Sequence, residues 1–336
     1  MITLSAALSE ACNLRCSYCN VNKESKDRLD YKLFIAQYHK LRAANPDELI
    51  QIDFYGGEPL LQWFSIVKIL EAIGNEPNIR FFMPTNGLLL TPHRIELLAK
   101  YNVKISLSFD GMWQNTNRLQ PRNKETLSRY EALLPMFRTI PNLEIHSMIA
   151  AGNYNLLENH LFITKLFGLN PHLTLVRDIG TWNADSVTQL KKGIDELFAW
   201  YISNASTVDM PNFISRFYKH IVLYKVKKHE VHSCGAGETH LSFSENKEVP
   251  CNRFKNQPDV IRKIPIFRAM PACQTCEVRY YCTKGCLYEQ INNDGPIVEL
   301  CDIYKYIYAS IFKMISTIKH VPRFVELTKK EILNEY

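Results

Sequence analysis

Residues 102–110 read NVKISLSFD. In an extended chain Val103, Ile105, Leu107 and Phe109 share one face, and Lys104, Ser106, Ser108 and Asp110 share the other. A strand buried on both faces of a parallel sheet is apolar throughout. The polar face leaves two readings: an edge strand, or the wall of a barrel whose interior holds a polar ligand. The segment lies in the middle of a series of strands, which favours the interior.

Outward from it, strand-like and helix-like patterns alternate. ITLSAAL (2–8) reads as a strand that leads into a cysteine loop. DYKLFIAQYHKLR (30–42) has Asp30 at an N-cap position and apolar residues at 33, 34, 38 and 41, a helical period. LIQIDFY (49–55) alternates as a strand and ends at Gly56-Gly57. Helices are expected at 60–73, 92–101, 124–138 and 154–167, and further strands at 79–86, 143–150 and 172–177. Six strands alternating with helices imply a parallel α/β sheet with helices packed outside. From 187 to 228 the chain reads as helical; from 233 onward turns and cysteines replace long elements. The aromatic-rich segment 303–321 reads as a last helix docked on the body.

The chain has 336 residues and is 46% hydrophobic, enough for one large domain and a smaller one. A formal net charge of +6 is spread thinly. The densest basic stretch, YKVKKHEVH (224–232), reads as a solvated helix face; a surface for an acidic peptide or phosphate is the alternative. No basic stripe accompanies a nucleic-acid motif, so no nucleic-acid partner is expected. No apolar run approaches the roughly 20 residues of a membrane span. MITLSAALSEAC lacks a basic leader and carries no signal-peptide pattern, so the expected location is cytoplasmic. In a reducing compartment, tightly spaced cysteines indicate metal or cluster ligands rather than disulfides.

Ten cysteines fall into two arrays. Cys12, Cys16 and Cys19 form C-x3-C-x2-C in the loop after the first strand. A structural zinc site takes four protein ligands. Three thiolates with no close fourth Cys or His suit a [4Fe–4S] cluster with one iron open to a substrate, since Asn13 and Asn20 are poor ligands. The later seven are Cys234, Cys251, Cys273, Cys276, Cys282, Cys286 and Cys301. Bare spacing leaves a zinc knuckle open at 273–286, but seven thiolates exceed one zinc site and suggest two metal centres.

CNLRCSYC (12–19) resembles the signature of radical S-adenosylmethionine (SAM) enzymes, including the aromatic Tyr18 before the third cysteine. The resemblance implies a cluster on Cys12, Cys16 and Cys19 whose open iron binds the amino and carboxylate groups of SAM, and reductive cleavage of SAM to a 5′-deoxyadenosyl radical. FYGGEPLL (54–61) resembles the family's SAM amino-group motif, which implies roles for Gly56, Gly57, Glu58 and Pro59, with the glycines letting the backbone approach the ligand. PTNG (84–87) and SLSFDG (106–111) resemble the ends of strands three and four, implying SAM contacts from Asn86, Ser106 and Ser108. Arg118 resembles an arginine that pairs with the SAM carboxylate, and Asn153 sits where a polar residue after strand five contacts the ligand. The resemblance covers about residues 2–180 and implies a partial (β/α)6 TIM-like barrel, in keeping with the six strands.

The order of the seven later cysteines resembles the SPASM domain of peptide-modifying radical SAM enzymes. It implies one auxiliary [4Fe–4S] cluster on Cys234, Cys251 and Cys286 and another on Cys273, Cys276, Cys282 and Cys301. Asn246 stands where the family usually has Gly, and Asn is a residue that tolerates φ > 0. For the first of these clusters, His240 as fourth ligand, a surface role for His240 and an open coordination site all stay open. His229 and His232 have metal-like spacing before Cys234 but read as linker. Three plus seven ligands account for all ten cysteines, leaving no thiol to deliver a hydrogen atom, so net oxidation is expected over epimerisation. Asn252 replaces the aspartate of sulfatase-maturing relatives. Asp178, with Arg177, is the candidate base at the barrel mouth, and His146 is a second candidate.

The expected organisation is a barrel over 1–205, a helical linker over 206–232, the auxiliary-cluster domain over 233–303 and a helical tail over 304–336. The expected function is a radical SAM/SPASM oxidoreductase that cross-links or dehydrogenates a residue in a ribosomally made peptide. A dehydrogenase or epimerase on a small molecule or peptide, and an iron–sulfur electron carrier, are the alternatives. Expected partners are the peptide and a reductant such as flavodoxin or ferredoxin; with eleven residues before Cys12, any leader peptide is expected to be gripped elsewhere on the chain or by a separate leader-recognition protein.

Overall fold

The computed structural model describes residues 1–21, 23, 27–227, 234–257 and 259–334, the side chains at 227, 268 and 331–334 excepted. His229 and His232 lie outside the described residues. The chain divides into two compact units, Met1–Ser147 with Gly235–Ile261, and Met148–Cys234 with Arg262–Tyr336. This partition differs from the sequence-read boundaries: residues 235–261, read with the later cysteines, cluster with the first strands.

In the first unit β1 (Ile2–Ser9), β2 (Ile50–Gly56), β3 (Ile79–Thr85), β4 (Lys104–Ser108) and β5 (Leu143–Ile149) stand side by side in chain order, every adjacent pair parallel. Helices α1 (Tyr31–Ala44), α2 (Trp63–Ile73), α3 (Pro92–Lys100) and α4 (Leu127–Phe137) alternate with them. Asp30 caps α1 as expected, its carboxylate accepting from the N–H groups of Lys32 (2.8 Å) and Leu33 (3.4 Å). One face of the strands is apolar and buried: Leu4, Ala6, Ile50, Ile52, Phe54, Phe81, Met83, Ile105 and Leu107. The other face carries Ser5, Gln51, Asp53, Lys104, Ser106 and Glu144, with Ser5 beside Asp53 and Ser106 beside Glu144 in register. Because β4 lies between β3 and β5, its polar face is an interior wall and the edge reading fails.

A hairpin extends this sheet beyond β1. β7 (His240–Ser244) pairs parallel with β1, and β8 (Lys247–Val249) pairs antiparallel with β7. Its turn residues Glu245 and Asn246 have φ of 51° and 61°, so Asn246 takes the left-handed conformation that its sequence position implied. The Asn246 side chain also accepts from the Asp30 N–H at 2.8 Å, tying the hairpin to the start of α1.

The second unit contains α5 (Leu156–Phe167) and β6 (His172–Leu175), the sixth strand of the series. Beyond them the stretch expected to be helical from 187 to 228 is two helices, α6 (Ala184–Asn204) and α7 (Asn212–Lys227). Residues 205–211 separate them, and Pro211, which has no N–H of its own to bond, accepts at its carbonyl from Ile214 and Ser215 to start the next. A long helix, α8 (Val298–Ile318), buries Ile303, Tyr304, Ile307, Tyr308 and Ile311, and a further helix, α9 (Pro322–Asn334), follows it. No described helix is long and apolar enough to cross a membrane.

Candidate active site and metal centres

The cysteine loop leaves the end of β1 and is held by backbone contacts to the neighbouring strand end. Gly57 N–H donates to the Ser9 carbonyl (2.8 Å) and Glu58 N–H to the Ala11 carbonyl (2.9 Å). A Cβ on Gly56 would lie 2.1 Å from the Ser9 oxygen, and one on Gly57 2.3 Å from the Ala11 oxygen. The close approach these glycines permit here is to the backbone that carries the cysteines. Further along, Cys16 pairs antiparallel with Arg118, and Ser17 N–H donates to the Asn117 carbonyl (2.9 Å). Asn86 Nδ2 donates to Asn13 Oδ1 (2.7 Å). The loop is thus fixed at three places.

Glu58 is 2% exposed. Its carboxylate accepts from Leu60 N–H (3.0 Å), Thr85 Oγ1 (2.6 Å) and Asn86 N–H (2.8 Å). Burial raises its pKa, against the pull of these three donors. It joins the ends of β2 and β3, and one of a carboxylate's roughly four acceptor positions is left for a further donor.

Arg118 has a partner within the chain. Its Nε lies 3.0 Å from Asp110 Oδ1, and Asp110 is fully buried. The Nε–H is not aimed along that line, so the contact is Coulombic. Tyr18 Oη and Asn117 Nδ2 donate to Asp110 Oδ2 at 2.7 and 3.1 Å, and the guanidinium sits 5.5 Å from the Tyr18 ring centre. Gln114 accepts from Asp110 N–H (2.9 Å) and donates to Thr126 Oγ1 (2.9 Å), which donates to the Arg118 carbonyl (2.9 Å). Burial is the largest influence on Arg118 and opposes its charge, but Asp110 together with Tyr18, Cys16 and Tyr130 outweighs it and holds the guanidinium protonated. Tyr18, the aromatic of the cysteine motif, is therefore the lid of a buried ion pair.

Asp110 was missed as a site residue in the sequence; its signal was a carboxylate at the end of the polar face of β4. Asp53, on the interior face of β2, was missed too. Burial pushes its pKa up to about 6, and the only opposing influence is the Gln51 amide, 2.8 Å away. An acid with a raised folded pKa favours the protonated folded form. Its contribution is therefore neutral near pH 4, grows more destabilising as pH rises from about 4 to about 6, and is constant above. Asp53→Asn is expected to stabilise the protein by up to about 3 kcal/mol at pH 7–8 and by little at pH 4, measured by urea midpoints at both pH values.

All ten cysteines are thiols of intermediate burial. Burial pushes the Cys12 thiol up to about 11, although Leu14 N–H donates to its sulfur at 3.4 Å. Three thiols on one pinned loop fit a cluster. The Ser106 and Ser9 hydroxyls, buried and without hydrogen-bond partners, fit a polar ligand at the strand ends. Ser108 is half-buried beside them, and its carbonyl accepts from Tyr130 Oη at 3.3 Å.

In the second unit a cavity of about 440 Å³ is lined by Cys273, Cys276, Cys282, Cys286 and Cys301. Five thiols around one cavity exceed a zinc site's four ligands and fit iron–sulfur ligation. Among the described residues, no group of three His, Cys, Asp or Glu side chains is arranged to hold a single metal ion. Cys234 and Asp178 belong to this unit, as does Asn153, whose Nδ2 is buried without a hydrogen-bond partner. Cys251 belongs to the first unit, as does His240 on β7, whose ring nitrogen Nε2 lies 3.4 Å from Ser5 Oγ. Burial lowers the pKa of His240, leaving it neutral on the interior wall.

Residues 7–149 match the Radical SAM superfamily. Over 94% of its length the chain is 27% identical to the radical SAM cyclopropyl synthase TigE of Paramaledivibacter caminithermalis, covering 74% of that protein. Over 39% of its length it is 27% identical to a cysteine-type anaerobic sulfatase-maturating enzyme of Clostridium perfringens, covering 39% of that protein. Its fold is that of anSMEcpe with bound AdoMet (TM-score 0.75, 17% identity, 99% of this chain and 98% of that one). It is also similar to Streptococcus suis SuiB bound to the precursor peptide SuiA (TM-score 0.57, 17% identity, 88% and 74%). The pinned C-x3-C-x2-C loop, the parallel strands around a polar wall and these likenesses lead to one conclusion: residues 7–149 match a radical SAM domain, the chain has the fold of anSMEcpe, and a cysteine-rich region follows the matched domain.

Proposed function

We propose that this protein is a radical SAM oxidoreductase that oxidises a residue of a ribosomally made peptide, forming a new bond or a double bond with net loss of two hydrogens. The observation that carries the reading is the cysteine loop clamped between Gly57, Asn86 and the Asp110–Arg118 pair, beside unpartnered serine hydroxyls. Cys12, Cys16 and Cys19 would hold the SAM-binding cluster, and the seven later cysteines two auxiliary clusters. When bound, these groups supply one-electron cleavage of SAM and hydrogen-atom abstraction from an unactivated carbon. The chain's own part is to bind and orient. Glu58 offers its remaining acceptor position to an ammonium group, Ser106 and Ser108 face the polar part of the ligand, and Asp178 is the candidate proton acceptor.

A peptide substrate is supported by the precursor peptide bound in SuiB and the peptide bound in anSMEcpe. The similarity to a cyclopropyl synthase across most of the chain favours a ring-closing oxidation among the oxidative outcomes. A flavodoxin or ferredoxin reductant, and a separate protein that presents the peptide, complete the reading. The test is anaerobic: the reconstituted protein is reduced in the presence of SAM and assayed for 5′-deoxyadenosine. Formation of the nucleoside is expected, and its absence overturns the enzyme reading. Co-expression with a candidate peptide then reads the outcome by mass: loss of two hydrogens supports oxidation, whereas deuterium uptake without mass loss in protium overturns it for epimerisation.

A further inference from the structure

Arg177 follows β6 in the second unit, and its Nε is buried without a hydrogen-bond partner. The turn it opens is pinned. Trp182 Nε1 donates to the Val176 carbonyl (2.8 Å), and Ile179 N–H donates to the Glu289 carboxylate (2.8 Å). Glu289 is buried and lies in the short helix Leu287–Asn292, whose N-cap residue is Cys286. The turn is therefore fixed to the helix that begins at a cluster cysteine. Tyr304 lines the five-cysteine cavity, and its hydroxyl is also buried and unpartnered. The charge on Arg177 is favoured by Tyr304, opposed by burial, and favoured again by the sulfur groups of Cys286, Cys234 and Cys282. Tyr304 thus brings one unsatisfied buried donor to the thiol array, and the pinned turn ties a second, on the permanent cation Arg177, to the helix that begins at Cys286.

We propose that Arg177 is a redox-positioning residue, donating to sulfur of the auxiliary cluster that uses Cys286 and so raising that cluster's reduction potential. Reduction adds one electron and one unit of negative charge to a thiolate-ligated cluster. A guanidinium with a buried, unpartnered Nε–H stabilises the reduced form more than the oxidised form. The cluster then becomes the better acceptor for an electron leaving an oxidised substrate. The inference rests on the auxiliary-cluster assignment above.

The test uses anaerobically reconstituted full-length protein, with iron counted per chain and each cluster's midpoint potential read by EPR-monitored potentiometry. In Arg177→Gln, one auxiliary signal is expected to shift to more negative potential while the SAM-binding signal and the iron content stay as in the parent. Arg177→Lys, which keeps the charge and loses the planar fork, should fall between. Tyr304→Phe, with the guanidinium intact, should keep the larger part of the parent potential. Unchanged potentials at full iron content overturn the proposal, as does loss of one cluster's iron in both Arg177 variants, which marks a purely structural role. A parent protein that binds only one cluster would instead overturn the auxiliary-cluster reading itself.

Discussion

Replacing Cys12, Cys16 and Cys19 together by alanine is expected to abolish 5′-deoxyadenosine formation while the protein stays folded. The three thiols are of intermediate burial and leave no large apolar cavity when shortened. The loop that carries them is held by backbone and neighbouring side chains: Gly57 and Glu58 on Ser9 and Ala11, Asn86 on Asn13, and Asn117 on Ser17. Removing the thiols therefore removes ligands without removing the clamp. With the seven later cysteines intact, iron per chain should fall by about a third, as expected when one of three four-iron clusters is lost. Iron analysis, circular dichroism and nucleoside detection check the three parts separately. Persistent SAM cleavage in the triple variant would show that the loop is not the SAM-cleaving centre.

Asp110→Asn is expected to cost about 3–5 kcal/mol of stability, the range for leaving a buried charge without its partner. Asp110 is fully buried and Arg118 is 7% exposed, so neither water nor salt compensates the loss. Asp110 also accepts from Tyr18 and Asn117, and an amide in its place meets those donors with only one acceptor oxygen. The measurement is the urea midpoint of Asp110→Asn, Arg118→Gln and the double variant. The double variant should lose less than the sum of the singles, because the unpaired charge disappears with it. Strict additivity would show that the pair does not interact. Since Arg118 pairs with Cys16 and Tyr18 lies two residues further on, Asp110→Asn should also weaken iron retention by the first cluster.

The strand–helix series was legible because periods of 2 and 3.6 residues are local, and each strand from 2–8 to 172–177 appears within a few residues of its expected place. The N-cap at Asp30 and the left-handed Asn246 were legible for the same reason: each depends on one residue's side chain and its own backbone. The break between α6 and α7 was misread because apolar spacing continued across it; α6 ends at Asn204, and Pro211, without an N–H, stands at the start of α7. Asp110 and Asp53 were not legible as site residues. A carboxylate in a strand says nothing about its neighbours until Tyr18, Asn117 and Arg118 are brought to one and the Gln51 amide to the other.

By itself the sequence determined the chemistry available: three thiols on one loop, seven in a later array, a glycine pair before an acid, and a strand with one polar face. Those are properties of residue type and spacing, and they survive any arrangement of the rest. Only the tertiary structure decided what each group faces. It turned Gly56 and Gly57 toward the cysteine loop's backbone, filled three of the acceptor positions of Glu58, gave Arg118 to Asp110, and set His240 on the interior wall beside Ser5. These partners are far apart in sequence, and a buried charge or hydrogen-bonding group takes whichever partner packing brings within reach.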